Sequence, residues 1–209
     1  MEMINDCIGR FVNKIVEFQS GTDYTNIFHE YPSCRKNLLA YLTYMWKTKP
    51  AAILVGEAPG HKGCARTGIA FTDEAHLLWL EQKGILNRAY LIDEKDRDKP
   101  EKEQSAGIIW GNLTEQKNLK VLLWNIYPFH PHQANNQNSN RTPRQEELAL
   151  GKQIFQDLKT IFPATEVFAI GRVAQKTLGL EEGNYIRHPA HGGANRCRKD
   201  LEDKVFSSL

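Results

Sequence analysis

A short apolar run that ends in a glycine-rich loop is the feature that most constrains the fold of this chain. Residues 51–55 are Ala-Ala-Ile-Leu-Val, and residues 56–60 are Gly-Glu-Ala-Pro-Gly. An apolar, β-rich run followed by glycine and proline is typical of a buried strand that enters a tight loop. Ligands of open parallel sheets bind at the carboxyl ends of strands, where glycines let the backbone approach closely. We therefore predict that this loop belongs to a binding site in an α/β protein.

Apolar runs and helical patterns alternate along the rest of the chain. Further strands are predicted at 120–125, 167–170 and 185–188, with a short additional strand at 85–92. Helices are predicted at 3–19, 72–83, 171–178 and 194–206. Two more are predicted, one that ends at about residue 49 and one that begins at residue 142. This alternation indicates an α/β fold, and we expect a three-layer α/β/α sandwich with a four-stranded, mainly parallel central sheet.

Two local patterns refine this prediction. Residues 142–145, Thr-Pro-Arg-Gln, have the form of a capping box with proline at the first helical position, which makes this the strongest helix start in the chain. Because the carboxyl ends of parallel strands share one edge of a sheet, three strand ends are expected to meet there. They carry Gly56 with Glu57, Asn125 and His188.

The chain length and one charged stretch define the expected domain organisation. With 209 residues, the chain is expected to form a single domain over 1–209, with N-terminal helices within 1–50. Residues 93–105 are almost wholly charged and show no apolar period. We interpret about 93–118 as a solvated insertion without a functional role.

Composition excludes several classes of protein. No run approaches the roughly 18 apolar residues of a membrane span, and the N-terminus lacks the order of a signal peptide, so we expect a cytoplasmic protein without membrane contact. A net charge of +2 permits nucleic-acid binding without requiring it. The cysteines occur singly, with no C-x-x-C spacing, which argues against a zinc ribbon or a redox pair and favours free buried thiols. They are Cys7, Cys34, Cys64 and Cys197.

Five motifs, in this order, resemble the uracil-DNA glycosylase superfamily over about residues 51–206. They are Gly56-Glu57-Ala58-Pro59-Gly60, Trp124-Asn125, Asn140-Arg141-Thr142-Pro143, Ala169-Ile170-Gly171-Arg172-Val173-Ala174 and His188-Pro189-Ala190. The chain looks most similar to the bacterial and archaeal iron–sulfur branch, whose cluster uses four cysteines. Here Pro128-Phe129-His130 stands where the branch carries one of them, and Cys34 is alone in the region of the N-terminal pair. We therefore expect no cluster, no metal and no other cofactor.

The resemblance implies a role for each residue of the expected site. A flipped base would stack on Phe71. Asn125 would read it, because an amide that donates and accepts matches O4 and N3–H of uracil. His188 would stabilise the negative charge that develops at O2 of the departing base. Amides of the loop after Gly56 would add donors, and Glu57, the one carboxylate of that loop, would position or activate water.

The resemblance also places residues against DNA. His61 closes the glycine-rich motif and would contact a phosphate. After the His-Pro pair the superfamily usually inserts an apolar wedge, but here the loop is Ala-His-Gly-Gly-Ala-Asn-Arg over 190–196. Its glycines lead into a helix, which favours phosphate binding by His191, Gly192 and Arg196 at the helix N-terminus. His191 or Arg196 would fill the gap that the flipped base leaves.

Two departures keep an alternative open. Ala58 stands where the most active members have an aspartate, and Gly60 stands where they have a thymine-excluding tyrosine. We expect a monomeric DNA glycosylase that hydrolyses the bond to uracil or a related deaminated base. The alternatives are a non-catalytic protein of the same fold that binds a nucleobase or damaged DNA, and a nucleotide-binding protein that never meets DNA.

Each site residue also has a purely structural explanation. Phe71 could be core packing, Asn125 a strand-end cap, His188 a structural histidine and Glu57 a helix cap or scaffold group. The structure must therefore show whether these side chains share one cavity.

Overall fold

The computed structural model describes residues 2–114, 120–163 and 166–208. Its helices are α1 (Glu2–Val16), α2 (Ile27–Glu30), α3 (Pro32–Thr48), α4 (Cys64–Thr67), α5 (Glu74–Gln82), α6 (Gln104–Thr114), α7 (Gln145–Ile161), α8 (Arg172–Leu178) and α9 (Ala194–Lys204). Its strands are β1 (Tyr24–Thr25), β2 (Ala52–Gly56), β3 (Val121–Asn125), β4 (His130–Pro131), β5 (Glu166–Ile170) and β6 (Tyr185–Ile186). Short 3-10 turns cover Glu94–Arg97, Glu182–Asn184 and Phe206–Ser208.

The central sheet has the strand order β3-β2-β5-β6, and each neighbouring pair is parallel. Every residue of β2 and β3 is buried, which explains why their sequences are continuously apolar rather than alternating. Helices α1, α3 and α7 form one packed group, while α6 joins α5 to α9 in a second group. The expected α/β/α sandwich with a four-stranded parallel sheet is confirmed. No helix of the described residues has the length and apolar character needed to cross a membrane.

The strand expected at 85–92 is wrong. Within the described part of the chain this segment joins neither sheet. Instead, the side chain of Asn37 on α3 accepts a hydrogen bond from the Tyr90 N–H at 2.9 Å and donates one to the Tyr90 carbonyl at 2.8 Å. A buried amide thus satisfies the backbone groups that a neighbouring strand would otherwise pair.

Of the solvated insertion expected at about 93–118, residues 93–105 are exposed or half-buried, as expected. Residues 106–113 belong to helix α6 and are mostly buried, and 115–118 lie outside the described residues. Arg97 forms an ion pair with Glu81 of α5 at 2.9 Å. Helix α6 then begins at residue 104 and buries Trp110 in the core. The charged stretch is therefore solvated up to the start of α6, and two of its charges, Asp96 and Arg97, pair with Arg66 and Glu81 outside it.

Helix α7 begins at Gln145, two residues later than the capping box predicts. Its first turn is closed by Glu147, which accepts the backbone N–H of Arg144 at 2.7 Å and the guanidinium of Arg141 at 2.6 and 2.7 Å. A carboxylate with two such donors is a stronger cap than a threonine hydroxyl. Thr142 therefore lies in the loop that precedes the helix.

Candidate functional site

The carboxyl ends of the strands surround one cavity. Gly56 and Asn125 are register partners at the ends of β2 and β3. The strand expected at 185–188 ends at Ile186, so His188 lies two residues beyond β6. Glu57, Phe71, Asn125 and His188 all line the cavity, whose volume is about 40 Å³. The structure thus brings four of the five expected catalytic and base-binding residues to the cavity wall.

Gly56, the fifth, lies behind the wall and brings Phe71 and Asn125 together. A Cβ atom at position 56 would overlap the Phe71 ring and lie 2.8 Å from Oδ1 of Asn125. Carbon and oxygen atoms at that distance repel strongly, so the site needs glycine here for close packing rather than for backbone freedom. The ring and the amide can approach one another because this position has no side chain.

Phe71 has a backbone conformation that phenylalanine rarely adopts. Its φ angle is +54°, in the left-handed region, and its side chain is 7% exposed. The conformation is fixed by the next residue: the Thr67 hydroxyl donates to the Thr72 carbonyl at 2.7 Å, and the Trp110 indole donates to the Thr72 hydroxyl at 3.1 Å. Strain of this kind is retained where the surrounding structure imposes it, often at functional sites.

Asn125 is 5% exposed and points its amide along the cavity wall. Its Nδ2 donates to the Sγ atom of Cys64 at 3.5 Å, the one side-chain hydrogen bond that it makes within the described residues. The second N–H and the carbonyl Oδ1 therefore stay available for a ligand. The contact also gives the amide a direction: Nδ2 faces Cys64, whereas Oδ1 faces Gly56.

His188 is held in one tautomer. Its Nδ1 accepts a hydrogen bond from the Ala190 N–H at 3.1 Å, and since a backbone N–H can only donate, the proton of the neutral ring lies on Nε2. Burial, with smaller contributions from Arg187 and His191, lowers the pKa of His188 below its ordinary value of 6.5. At neutral pH the imidazole is therefore an uncharged hydrogen-bond donor beside the cavity.

Glu57 contributes a carboxyl group whose proton affinity is increased. Burial raises the pKa of Glu57, and the hydroxyl of Thr142 partly offsets that rise. Thr142 belongs to the motif at 140–143, so the residue that the sequence pattern assigns to a helix cap instead lies beside the site. A carboxyl group with a raised pKa in a cavity is suited to proton transfer.

Three residues of the cavity wall are not predicted from the sequence as site residues: Cys64, Glu103 and Ser105. The sequence predicts only a buried thiol at Cys64, and Glu103 and Ser105 lie in the charged stretch. For Glu103 and Ser105, the signal in the sequence is the apolar helical pattern that begins directly after Ser105, at Ala106, Ile109 and Trp110. Residues at the start of a packed helix have a fixed position, whatever the charge of the segment before it.

The four expected DNA-binding residues lie outside the cavity wall in the described structure. The backbone N–H of His61 donates to Oδ1 of Asn140 at 3.0 Å, which ties the glycine-rich loop to the 140–143 motif. His191 and Gly192 are exposed and both have left-handed backbones, with φ angles of +53° and +75°. Arg196 is exposed on α9 and forms an ion pair with Asp200 at 2.9 Å.

The cysteines do not fit an iron–sulfur cluster. All four are free thiols; Cys7 is exposed, and the other three are buried. Burial raises the pKa of Cys34 and of Cys197 to about 12 and raises that of Cys64 as well, so these three are neutral thiols at neutral pH. Among the described residues, no three His, Cys, Asp or Glu side chains converge on a metal site.

Comparisons with known proteins agree with this geometry. The family model described as the uracil DNA glycosylase superfamily matches residues 45–207. Among solved structures, the crystal structure of wild-type SMUG2 from Pedobacter heparinus matches with a TM-score of 0.61, covering 95% of this chain and 97% of that chain. The sequence identity is 19%, so this likeness concerns the fold. No curated protein sequence matches the chain.

Proposed function

Because the chain belongs to the uracil DNA glycosylase superfamily, we propose that it hydrolyses the N-glycosidic bond of uracil or a related deaminated base in DNA. Family membership supports a DNA glycosylase in general. The observation that supports this particular reaction is the meeting of Phe71, Asn125 and His188 at one cavity. An aromatic face, an amide and a neutral imidazole are the groups that a flipped base needs for stacking, recognition and departure.

Base recognition is proposed for Phe71 and Asn125. The base stacks on the Phe71 ring, whose position is fixed by its backbone. The Nδ2 atom of Asn125 donates to O4 of uracil, and its Oδ1 accepts N3–H. Cytosine presents a donor and an acceptor in the reverse order, and the mismatch would leave buried polar groups unpaired, which is how a hydrogen-bonding site discriminates strongly.

Bond cleavage is proposed to depend on His188. As the glycosidic bond breaks, negative charge develops on the base and positive charge on the sugar. The Nε2–H of His188 donates to O2 of the departing base, because Nδ1 is occupied by the Ala190 N–H. A preorganised donor of this kind contributes about 2.7–4 kcal/mol to a transition state.

Water is the proposed nucleophile, with Glu57 as the group that positions it. Ala58 also lines the cavity and offers no carboxylate, so Glu57 is the acidic group of the glycine-rich loop that can accept a proton. Its ionised form is required for that role. His61, His191, Gly192 and Arg196 would hold the flanking DNA through contacts with phosphates. The last three of them are exposed.

A second candidate is a protein of the same fold that binds the base without cleaving it. Ala58 favours this candidate, because no carboxylate occupies its position on the cavity wall. The two candidates agree on recognition by Phe71 and Asn125. They differ in whether the bond between the bound base and its sugar is hydrolysed.

Cleavage of a uracil-containing oligonucleotide tests the proposal. We expect alkali-sensitive abasic sites to form with the wild-type protein, and His188→Ala to lower the single-turnover rate by about 10²–10³-fold. Asn125→Ala is expected to lower that rate sharply too. His29→Ala and Asn87→Ala are matched controls on exposed residues and should leave the rate unchanged. Equal rates in all five proteins would remove the site assignment, and tight binding without cleavage would favour the second candidate.

A further inference from the structure

The carboxyl group of Glu103 has no part in the steps above, yet it lines the cavity with Phe71, Asn125 and His188. Its oxygen atoms lie against Gly60, at the end of the glycine-rich loop, and against Gly63. A Cβ atom at Gly60 would be 3.2 Å from Oε1, and a Cβ atom at Gly63 would overlap Oε2. The missing side chains at these glycines leave room for the Glu103 carboxyl.

The backbone of Glu103 is fixed from outside its own segment. Its N–H donates to Oδ2 of Asp73 at 2.7 Å, and Asp73 is fully buried at the start of α5, where its Oδ1 also accepts the His76 N–H at 2.8 Å. The next residue after Glu103 begins α6. Glu103 therefore enters the cavity from a rigid junction between two helices, and it forms no salt bridge within the described residues.

The direction of the Asn125 amide shows which edge of a bound base faces Glu103. With Nδ2 on O4 and Oδ1 on N3–H, the ring atom beyond O4 is C5, so C5 lies on the Nδ2 side. Nδ2 points to Cys64, and Cys64 follows Gly63, which lies against the Glu103 carboxyl. His188 serves the opposite side of the ring, at O2. The C5 edge thus faces Glu103.

We propose that Glu103 determines specificity by forming the wall against C5 of the bound pyrimidine and thereby excludes 5-methyl bases such as thymine. The inference rests on the proposed function, because it needs a pyrimidine held by Asn125. A methyl group at C5 would have to displace the Glu103 side chain, whose backbone is held by Asp73. Forcing an extra methyl group against a fixed side chain is unfavourable.

Excision and binding of uracil and thymine test this inference together. Single-turnover rates are measured on oligonucleotides that carry either base, and affinities are measured on the same oligonucleotides with 2′-fluoro sugars that resist cleavage. We expect the uracil-to-thymine ratio of affinities to fall by about 10-fold or more in Glu103→Ala. Glu103→Gln retains the bulk of the side chain and should keep the wild-type ratio. Glu101→Ala, exposed in the same segment, is the matched control.

The outcomes separate this inference from the proposed function. Absent cleavage with an affinity ratio that falls in Glu103→Ala would overturn hydrolysis and support the wall. Cleavage of uracil with an unchanged ratio would overturn the wall alone. If Glu103→Ala accelerates the excision of uracil and of thymine equally, the carboxyl only obstructs entry to the cavity, and the wall is overturned. If the uracil-to-thymine affinity ratio of Glu103→Gln is as low as that of Glu103→Ala, the bulk of the side chain does not form the wall.

Discussion

Replacement of Gly56 by alanine tests the close packing at the centre of the site. The added Cβ would overlap the Phe71 ring and lie 2.8 Å from Oδ1 of Asn125. Phe71 cannot easily yield, because its left-handed backbone is fixed through Thr72. Overpacking of this kind typically costs about 1–3 kcal/mol of unfolding free energy. For a chain of this size, each kcal/mol lowers Tm by roughly 2–4 °C.

The same substitution should impair function by more than its effect on stability. Relief of this overlap displaces the Phe71 ring or the Asn125 amide by up to about 1 Å and so disturbs the surfaces that contact the base. We expect uracil excision by Gly56→Ala to fall by about 10²-fold at a temperature where the protein is folded. Gly9→Ala is the matched control: nothing lies within 4 Å of its added Cβ, on α1.

A double-mutant cycle identifies the cause. Phe71→Leu removes Cζ and Cε2, the two ring atoms nearest the new Cβ. In urea unfolding, the second substitution should therefore recover part of the stability that Gly56→Ala loses, giving a coupling energy of about 0.5–3 kcal/mol. Strictly additive losses, or a Gly56→Ala protein with wild-type stability and activity, would refute the packing argument.

Three further predictions concern ionisation and charge. The excision rate should decline only toward acid pH, because Glu57 must be ionised with a raised pKa and His188 must be neutral with a lowered one; Glu57→Gln should remove the part of that decline that follows protonation of Glu57 in a pH–rate profile. Asp73→Asn should cost about 1–3 kcal/mol in urea unfolding at pH 7. Burial alone would raise the pKa of Asp73, but hydrogen bonds from His76 and from the Glu103 N–H lower it below the ordinary value of 3.8. The stability that the Asp73 carboxylate contributes is therefore lost when it is protonated, and the cost of Asp73→Asn should shrink as the pH falls below 3.8. Arg196→Ala should weaken duplex binding about equally for all sequences and reduce the slope of log affinity against log salt by about one, as filter binding would show.

The central sheet could be predicted from the sequence because its strands are signalled locally. The runs at 51–55 and 121–124 are apolar throughout and are followed by Gly56 and Asn125, as expected of strands buried on both faces. Once these are adjacent and parallel, Gly56 and Asn125 meet at the same edge. The meeting of the strand ends at one cavity follows from topology more than from any single motif.

The parts that could not be predicted depend on contacts between distant residues. The segment at 85–92 has a strand-like composition, but the Asn37 amide takes its backbone hydrogen bonds. Glu103 looks like one more solvated charge until Asp73 fixes its backbone at the cavity. Likewise, Glu147 rather than Thr142 closes the first turn of α7. Local composition does not show which polar group has a partner far along the chain.

A structure of the protein bound to DNA that carries uracil on a cleavage-resistant 2′-fluoro sugar would show where the base binds. We expect an extrahelical uracil stacked on Phe71, with O4 and N3 within hydrogen-bond distance of the Asn125 amide and O2 beside Nε2 of His188. A uracil that stays paired in the duplex, or one that binds away from the cavity between these three side chains, would contradict this expectation.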